Sequence, residues 1–144
     1  MLRQALLAAA TGLLASFASA QACAALSVTG TGAPGTDLVF TLDGSTAGAF
    51  AALAVGDTTG TTTLNFGSLG SLTLGLASPF IPLPLGMTDA SGDITRTLHV
   101  PNVSSIPGVD LFGQGVTFTF TFNGPGLPTL TFCTTNVVAF HLGS

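Results

Sequence analysis

The sequence predicts an all-β protein: an antiparallel two-sheet sandwich, immunoglobulin-like or jelly-roll-like, that follows a cleaved signal peptide. Glycine and proline recur about every eight to twelve residues, and the runs between them are short and rich in Val, Thr, Phe and Leu. This spacing is typical of β-sandwiches, and no window has a convincing helical period. The chain beyond the signal is long enough for one domain with a single sizeable core.

The N-terminus has the pattern of an export signal. Arg3 precedes an apolar run over residues 5–17, and the small residues Ala18, Ser19 and Ala20 follow it. Secretory peptides have this order of basic, apolar and small residues, whereas a membrane-spanning helix needs about 20 apolar residues. We expect a signal peptide at residues 1–20, one β-sandwich domain at residues 21–144 without a transmembrane segment, and a secreted or cell-surface location, with the periplasm as the alternative.

The first strands are predicted from alternation and composition. Residues 25–30 and 36–42 come first, and in the second run Leu38, Phe40 and Leu42 share one face. Residues 50–55 are the weakest candidate, because their alanines also suit a helix. Threonine and leucine then mark residues 61–66 and 69–75 as two further strands.

Proline defines the next strand, residues 80–85. Pro82 and Pro84 have the same parity, so their missing N–H donors point to one side and the segment can pair on the other side only. We expect an edge strand guarded against further pairing, or an extended connection over the sheet. Ile81, Leu83 and Leu85 are expected to face the core. Residues 94–100 are the next strand candidate, and residues 101–108 form a loop.

The clearest alternation lies in residues 116–122. One face consists of Val116, Phe118, Phe120 and Phe122, and the other consists of threonines. We expect the phenylalanine face to pack and the opposite face to be a threonine ladder. The Asn-Gly-Pro-Gly turn at residues 123–126 predicts a hairpin with a strand at residues 127–132. Residues 137–142 are the last strand candidate.

Cys23 and Cys133 are the two cysteines of the chain. An even count after a signal peptide favours one disulfide, which would join the first mature residues to a late strand. The alternative makes Cys23 a lipid-modified first residue. Against it, Ala20 replaces the branched apolar residue that usually stands three positions before such a cysteine.

The mature chain has very few charges. It contains six aspartates and a single basic residue, Arg96, and it lacks Lys, Glu, Tyr and Trp. Nucleic-acid binding needs clustered Lys and Arg, so no nucleic-acid partner is expected. With 47% hydrophobic residues the chain has enough apolar surface to fold. Strand faces covered by threonine, serine and glycine instead of charge favour a protein that works in an assembly or at a surface.

Candidate chemistry is sparse. His99 and His141 lie in predicted strands, outside any spacing known for metal or nucleophilic sites. A catalytic site would need His99, Asp93 and a loop serine brought together in space. Asp89 and Asp93 are the candidate calcium ligands, because calcium takes carboxylate and hydroxyl oxygens from alternate loop residues. A polar turn between two strands explains the same residues. No catalytic residue is assigned, and calcium is the one candidate cofactor.

Four other polar residues are given structural roles. Arg96 is expected to pair with an aspartate. Asn65, Gln114 and Asn136 stand in apolar surroundings. Each is expected to satisfy backbone groups at a bulge or a strand end, because buried polar groups need partners.

Turn and core residues from residue 70 onward carry a family resemblance. They are Leu72-Thr73-Leu74-Gly75-Leu76, Leu83-Pro84-Leu85-Gly86, Thr88-Asp89-Ala90-Ser91-Gly92, Val100-Pro101-Asn102, Gly108 with Leu111 and Gln114, and Thr135-Asn136-Val137. In these segments, about half of the chain, the protein resembles exported β-sandwich modules found singly or as terminal domains of large secreted bacterial proteins, a family of unknown function. The resemblance implies a fold and no catalytic residues.

These observations predict a non-enzymatic exported module with a structural, assembly or protein-interaction role. Its expected partners are other extracellular or cell-surface proteins, or a second copy of itself. One alternative is a calcium-assisted glycan-binding module around Asp89 and Asp93, in which phenylalanine would have to replace the Trp and Tyr that usually stack on sugars. The other is a small secreted hydrolase that depends on His99 or His141.

Overall fold

The computed structural model describes residues 23–122, 124–126 and 128–144, and the predicted signal peptide at residues 1–20 lies outside them. The described chain is built of strands, as the sequence predicts. The strands are β1 (Ala25–Thr29), β2 (Asp37–Asp43), β3 (Phe50–Gly56), β4 (Thr59–Asn65), β5 (Ser71–Leu76), β6 (Phe80–Met87), β7 (Ile94–His99), β8 (Val109–Thr121) and β9 (Thr129–Leu142). A short 3-10 turn, Gly67–Leu69, joins β4 to β5. The alanine-rich candidate at residues 50–55 is therefore a strand, β3.

In the described residues the strands form three antiparallel sheets. One has the order β1-β2-β7, a second has the order β6-β3-β8-β9, and β4 with β5 forms a separate hairpin. The first two orders correspond to A-B-E and C′-C-F-G of the immunoglobulin-like sandwich, with the β4–β5 hairpin inserted between C and C′. Of the two sandwich types predicted, the strand order is the immunoglobulin-like one. The hairpin as a separate layer was not predicted.

Buried apolar residues in the described chain form two clusters on opposite faces of the four-stranded sheet. Leu53 belongs to the cluster shared with β1-β2-β7, where Leu38, Phe40 and Leu42 are buried as predicted. Its neighbour Ala54 belongs to the cluster shared with the hairpin. Consecutive strand residues point to opposite faces, so the four-stranded sheet is the middle layer between β1-β2-β7 and the β4–β5 hairpin.

The middle layer explains why the face assignment for residues 116–122 is partly wrong. Thr117, expected on a solvent-exposed ladder, is buried toward β1-β2-β7, and its Oγ1 lies 2.7 Å from Oγ of Ser45. Phe120, expected in the core, is exposed on the opposite face, and Phe122, also expected in the core, is exposed just beyond the end of β8. Because the sheet is covered on both sides, residues on both of its faces are buried, and Thr117 is one of them. Phe120 is exposed because the hairpin covers only part of the other face.

β8 and β9 are longer than the sequence predicts. β8 begins at Val109, and β9 joins the predicted strands at 127–132 and 137–142 into one. The two strands pair as the predicted hairpin, with a register shift between Gln114 and Val116. That shift adds one residue to β9 and lets it continue through the polar stretch that separated the two predicted strands.

β6 is an edge strand, as Pro82 and Pro84 predict. It pairs with β3 on one side and has no other strand beside it in the described chain. The expectation that its apolar residues face the core holds for Leu85, which is buried, but Ile81 is 65% exposed and Leu83 is also exposed. Their positions in the edge strand place them beyond the area that β1-β2-β7 covers.

The predicted disulfide joins Cys23 to Cys133, and their Cα atoms are 5.6 Å apart. This separation suits a disulfide. The bridge fastens the start of the described chain to β9, where the backbone N–H of Cys23 also donates to the carbonyl of Thr134 at 3.1 Å. A sulfur atom in a disulfide does not carry a lipid, so the structure favours the bridge over the lipid-modified alternative. The described residues contain no helix with the length and hydropathy of a membrane span.

We predict that breaking the disulfide destabilises the fold. The bridge closes a loop of 110 residues, and the chain-entropy model gives up to about 4.7 kcal/mol for a loop of that size. Reduction should therefore lower the Tm measured by circular dichroism. The C23S/C133S variant should melt like the reduced protein and should not respond to reductant. An unchanged Tm on reduction of the parent protein would contradict this prediction.

Candidate functional site

A polar side chain inside the middle layer holds the hairpin in place. Gln114 of β8 is buried, and its Oε1 accepts the backbone N–H of Gly75 in β5 at 2.8 Å. Its Nε2 donates to the carbonyl of Thr135 in β9 at 2.8 Å. The Oγ1 of Thr135 accepts the N–H of Gly115 at 2.8 Å, beside the extra residue of β9. The bulge thus satisfies its own backbone groups and fixes β5 against the sheet.

The same bulge is joined to β1. The side chain of Asn136 accepts the N–H of Leu26 at 2.9 Å and donates to the carbonyl of Leu26 at 3.1 Å. Asn65 has a local role, because its Oδ1 accepts the N–H of Gly67 at the end of β4. The structural roles predicted for Asn65, Gln114 and Asn136 are therefore confirmed.

An apolar cleft opens where the hairpin stops covering the four-stranded sheet. Its volume is about 300 Å³. The lining residues are Ala52, Ala54, Leu64, Phe66, Leu72, Leu74, Phe80, Pro82, Val116, Phe118, Phe120, Leu130 and Phe132. None of these side chains has a hydrogen-bonding or charged group, so the cleft can hold only an apolar group.

Small residues create the space in this cleft. Ala52 and Ala54 of β3 point toward the hairpin, while Leu53 between them fills the opposite core. A larger side chain at either alanine would occupy the cleft. Packed protein interiors leave few voids of this size. Here the two alanines keep open a space that a leucine would close.

Phenylalanine rings form one wall of the cleft and continue beyond it. Phe118 stacks on Phe50 with ring centroids 5.5 Å apart, and Phe120 meets Phe118 edge-on at 6.3 Å. Phe50 is 45% exposed and Phe120 is 47% exposed. We call Phe50, Phe118 and Phe120, together with Met87 opposite Phe50 in β6, the aromatic face. On the hairpin side Phe66 stacks on Phe132 at 5.0 Å.

The cleft and the aromatic face do not follow from the alternation of the sequence. Alternation alone assigns the phenylalanines of residues 116–122 to the core. A usable signal was the small size of Ala52 and Ala54, which could not fill the same side of the sheet as several phenylalanines. Alternation assigns residues to faces, but it does not say how much of each face is covered.

The histidines make cross-strand pairs with aspartates. Nδ1 of His99 lies 2.7 Å from Oδ1 of Asp37, and Nδ1 of His141 lies 2.8 Å from Oδ1 of Asp110. The candidate catalytic grouping of His99 with Asp93 is wrong, because Asp93 precedes the first residue of β7 while His99 is its last, and the carboxylate beside His99 is that of Asp37. In the described chain neither histidine has a hydrogen bond to a serine or threonine hydroxyl. All four side chains are at least 45% exposed, and exposed pairs of this kind contribute little stability.

Asp89 and Asp93 build a turn. Oδ1 of Asp89 accepts the N–H groups of Ser91 and Asp93 at 2.8 and 3.0 Å. Oδ1 of Asp93 accepts the N–H of Gly44, which ties the turn to the connection between β2 and β3. Among the described residues no three His, Cys, Asp or Glu side chains are grouped as metal ligands would be. The polar-turn interpretation thus accounts for one carboxylate oxygen of each residue, and calcium binding stays a prediction.

Gly92 allows this turn to pack closely. Its φ is +80°, a conformation that favours glycine, and a Cβ atom there would lie 1.8 Å from the carbonyl oxygen of Ser45. Arg96 lies nearby in the chain, on β7. It forms no ion pair with any described aspartate, so the predicted pairing is wrong.

No protein-family model, curated protein or solved structure matches this chain at a significant level. The resemblance to exported β-sandwich modules therefore stays a prediction. The cleft, the aromatic face and their supporting bulge are the features from which a function has to be argued.

We predict that Gln114→Ala destabilises the protein by about 1–3 kcal/mol, since it leaves buried backbone groups of Gly75 and Thr135 without a partner. The matched control is Asn65→Ala, an exposed amide with one local bond, which should cost less than about 1 kcal/mol. Urea unfolding measures both. Hydrogen exchange at the Gly75 amide should also quicken in Gln114→Ala. Equal small losses in both variants would contradict the role given to Gln114.

We predict that Asp89→Ala costs about 1 kcal/mol through loss of the turn, by analogy with side-chain caps. The polar-turn interpretation alone gives the same loss in calcium and in chelator, whereas a calcium site gives a larger loss in calcium. The control is Asp57→Ala, which removes an exposed carboxylate bonded to the Thr58 hydroxyl. The Tm of both variants is measured by thermal shift in calcium and in chelator. A Tm that rises with calcium in the parent protein and in Asp57→Ala, but not in Asp89→Ala, would instead support the calcium site.

Proposed function

We propose that this protein is an exported, non-enzymatic module with an assembly or protein-interaction role, and that it binds its protein partner through the aromatic face and the adjoining cleft. One observation carries the proposal: the cleft is lined by phenylalanine rings, and stacked phenylalanines of the aromatic face are exposed beside it. Isolated exposed apolar residues are ordinary, whereas a contiguous apolar patch marks an interaction site.

The residue types on this surface are those of protein interfaces. Aromatic residues and methionine are enriched in interface cores, where charged residues are depleted. Here Phe50, Phe120 and Met87 are exposed together, and Phe118 lies half-buried between them. Residues that dominate binding energy are commonly large side chains seated in well-packed pockets. The cleft offers such a pocket for an apolar side chain of the partner.

The exported location rests on two kinds of observation. The sequence predicts a signal peptide at residues 1–20, and the structure has a disulfide between Cys23 and Cys133. Disulfides persist in oxidising compartments and are rare in the cytosol. The partner is accordingly expected among extracellular or cell-surface proteins, with a second copy of this chain included.

The non-enzymatic assignment rests on the chemistry of the candidate residues. His99 and His141 each direct Nδ1 to an aspartate on the neighbouring strand, at the surface. Both pairs lie at strand ends, while the cleft is lined by apolar side chains alone. A surface without polar groups can bind, but it offers neither a nucleophile nor a proton donor.

We predict that a photo-crosslinking amino acid at Phe50 forms a specific covalent adduct in cells that export the protein. Position 50 lies on the aromatic face, so a bound partner is within reach of the reactive group. The control is the same amino acid at Thr97, on the outer surface of β1-β2-β7. Adducts are separated by gel and identified by mass spectrometry. Adducts of equal yield from both positions, or no adduct from position 50, would contradict the proposal.

A further inference from the structure

Phe122 is a large apolar side chain that the described residues leave uncovered. It follows the last residue of β8 and is 75% exposed, more than any other large apolar side chain in the described part of the chain. Pairing of β8 with β3 ends at Phe118, so beyond that point β8 and β9 continue as a two-stranded projection. Phe122 stands at the end of this projection.

The cleft begins two residues before Phe122 in the chain. Phe118 and Phe120 line it, and Phe122 follows just after the end of β8. The alternation of the strand, continued by one step beyond its end, places the Phe122 ring on the same side of the sheet. An apolar cavity of about 150 Å³ is enough to take benzene, whereas this cleft measures about 300 Å³. A phenyl ring therefore fits it in size and in chemistry.

A projecting ring and an open cleft side by side on one face are self-complementary under two-fold symmetry. A two-fold axis that lies parallel to the face, midway between the ring and the cleft and perpendicular to the line that joins them, brings the projection of each copy onto the cleft of the other. Such an interface is isologous, because the same surface patch is used by both copies. It also closes, so it gives a dimer and no open polymer.

Charge does not oppose this contact. The chain has a net charge of −4, but residues 111–140 contain no Asp, Glu, Lys or Arg. The cleft lining on β3, β4, β5 and β6 is likewise uncharged. Two acidic molecules that approach through this face therefore bring no like charges together, and interfaces of homodimers are the more apolar kind.

We propose that the partner is a second copy of this chain, in a two-fold dimer in which Phe122 of each copy packs into the cleft of the other. This inference rests on the proposed function and names its partner. In this dimer the same contact occurs twice, and each time it covers an exposed Phe122 ring and fills a cleft.

Sedimentation equilibrium of the oxidised protein beginning at Gln21 tests the dimer over a wide range of concentrations. We expect a monomer–dimer equilibrium, and Phe122→Ser should raise its dissociation constant more than about tenfold, as truncation of a buried aromatic anchor does. Ala52→Phe, which fills the cleft, should do the same. The matched control is Ile81→Ser, which removes another exposed apolar side chain away from this face and should leave the equilibrium unchanged.

Mixing the variants tests the reciprocal contact. Phe122→Ser keeps an open cleft and Ala52→Phe keeps its projecting ring, so the mixture should form a heterodimer with one of the two contacts and intermediate affinity. If Ala52→Phe does not fold, the comparison of Phe122→Ser with Ile81→Ser decides alone. Far-UV circular dichroism and Tm confirm that each variant is folded.

A protein that stays monomeric, or a dimer that ignores Phe122→Ser, would overturn the inference. A monomer whose position 50 still crosslinks to a different protein would remove the second copy as partner and leave the proposed function standing. A monomer that binds the neutral fluorophore N-phenyl-1-naphthylamine, and loses it in Ala52→Phe, would show that a small apolar molecule occupies the cleft instead. Failure of both crosslinking and dimerisation would remove the proposed function as well.

Discussion

The bulge between β8 and β9 fixes how the layers of this protein meet. One extra residue in β9 places Gln114 where it bonds to the hairpin, and it places Asn136 where it bonds to β1. A Cβ atom at Gly115 would lie 2.7 Å from Cδ1 of Leu42 and 2.9 Å from Cγ2 of Thr135, so a larger residue would push the layers apart. The hydrogen bonds at the bulge hold the layers at this close spacing, which keeps the apolar residues between them packed.

The cleft is a consequence of that attachment. β5 is held at Gly75, so Leu72, Leu74 and Leu76 pack over one half of the sheet, and the rest of that face has no cover from the hairpin. Ala52 and Ala54 leave depth at the boundary between covered and uncovered halves. The position and the shape of the cleft therefore follow from one polar contact and two small residues. The rings around it follow from the phenylalanines of β8.

The features of this fold that depend on local chemistry are predictable from the sequence. The strand candidates, the guarded edge at Pro82 and Pro84, and the Cys23–Cys133 bridge follow from alternation, missing donors and cysteine count. The burial of Thr117 and the exposure of Phe120 are not predictable in this way, because alternation does not tell whether one face or both are covered. Cross-strand partners were also out of reach: only the register of β2 with β7 places Asp37 beside His99.

The edges of the four-stranded sheet explain why its face is the surface left for binding. At one edge, Pro82 and Pro84 remove donors that another strand would need. At the other edge, Cys23 bonds to the Thr134 carbonyl and Asn136 bonds to both backbone groups of Leu26, so the start of the chain covers part of β9. Strand addition, the usual route to uncontrolled assembly, is hindered at both edges. An apolar face between two guarded edges permits association through side chains, where shape limits the number of partners.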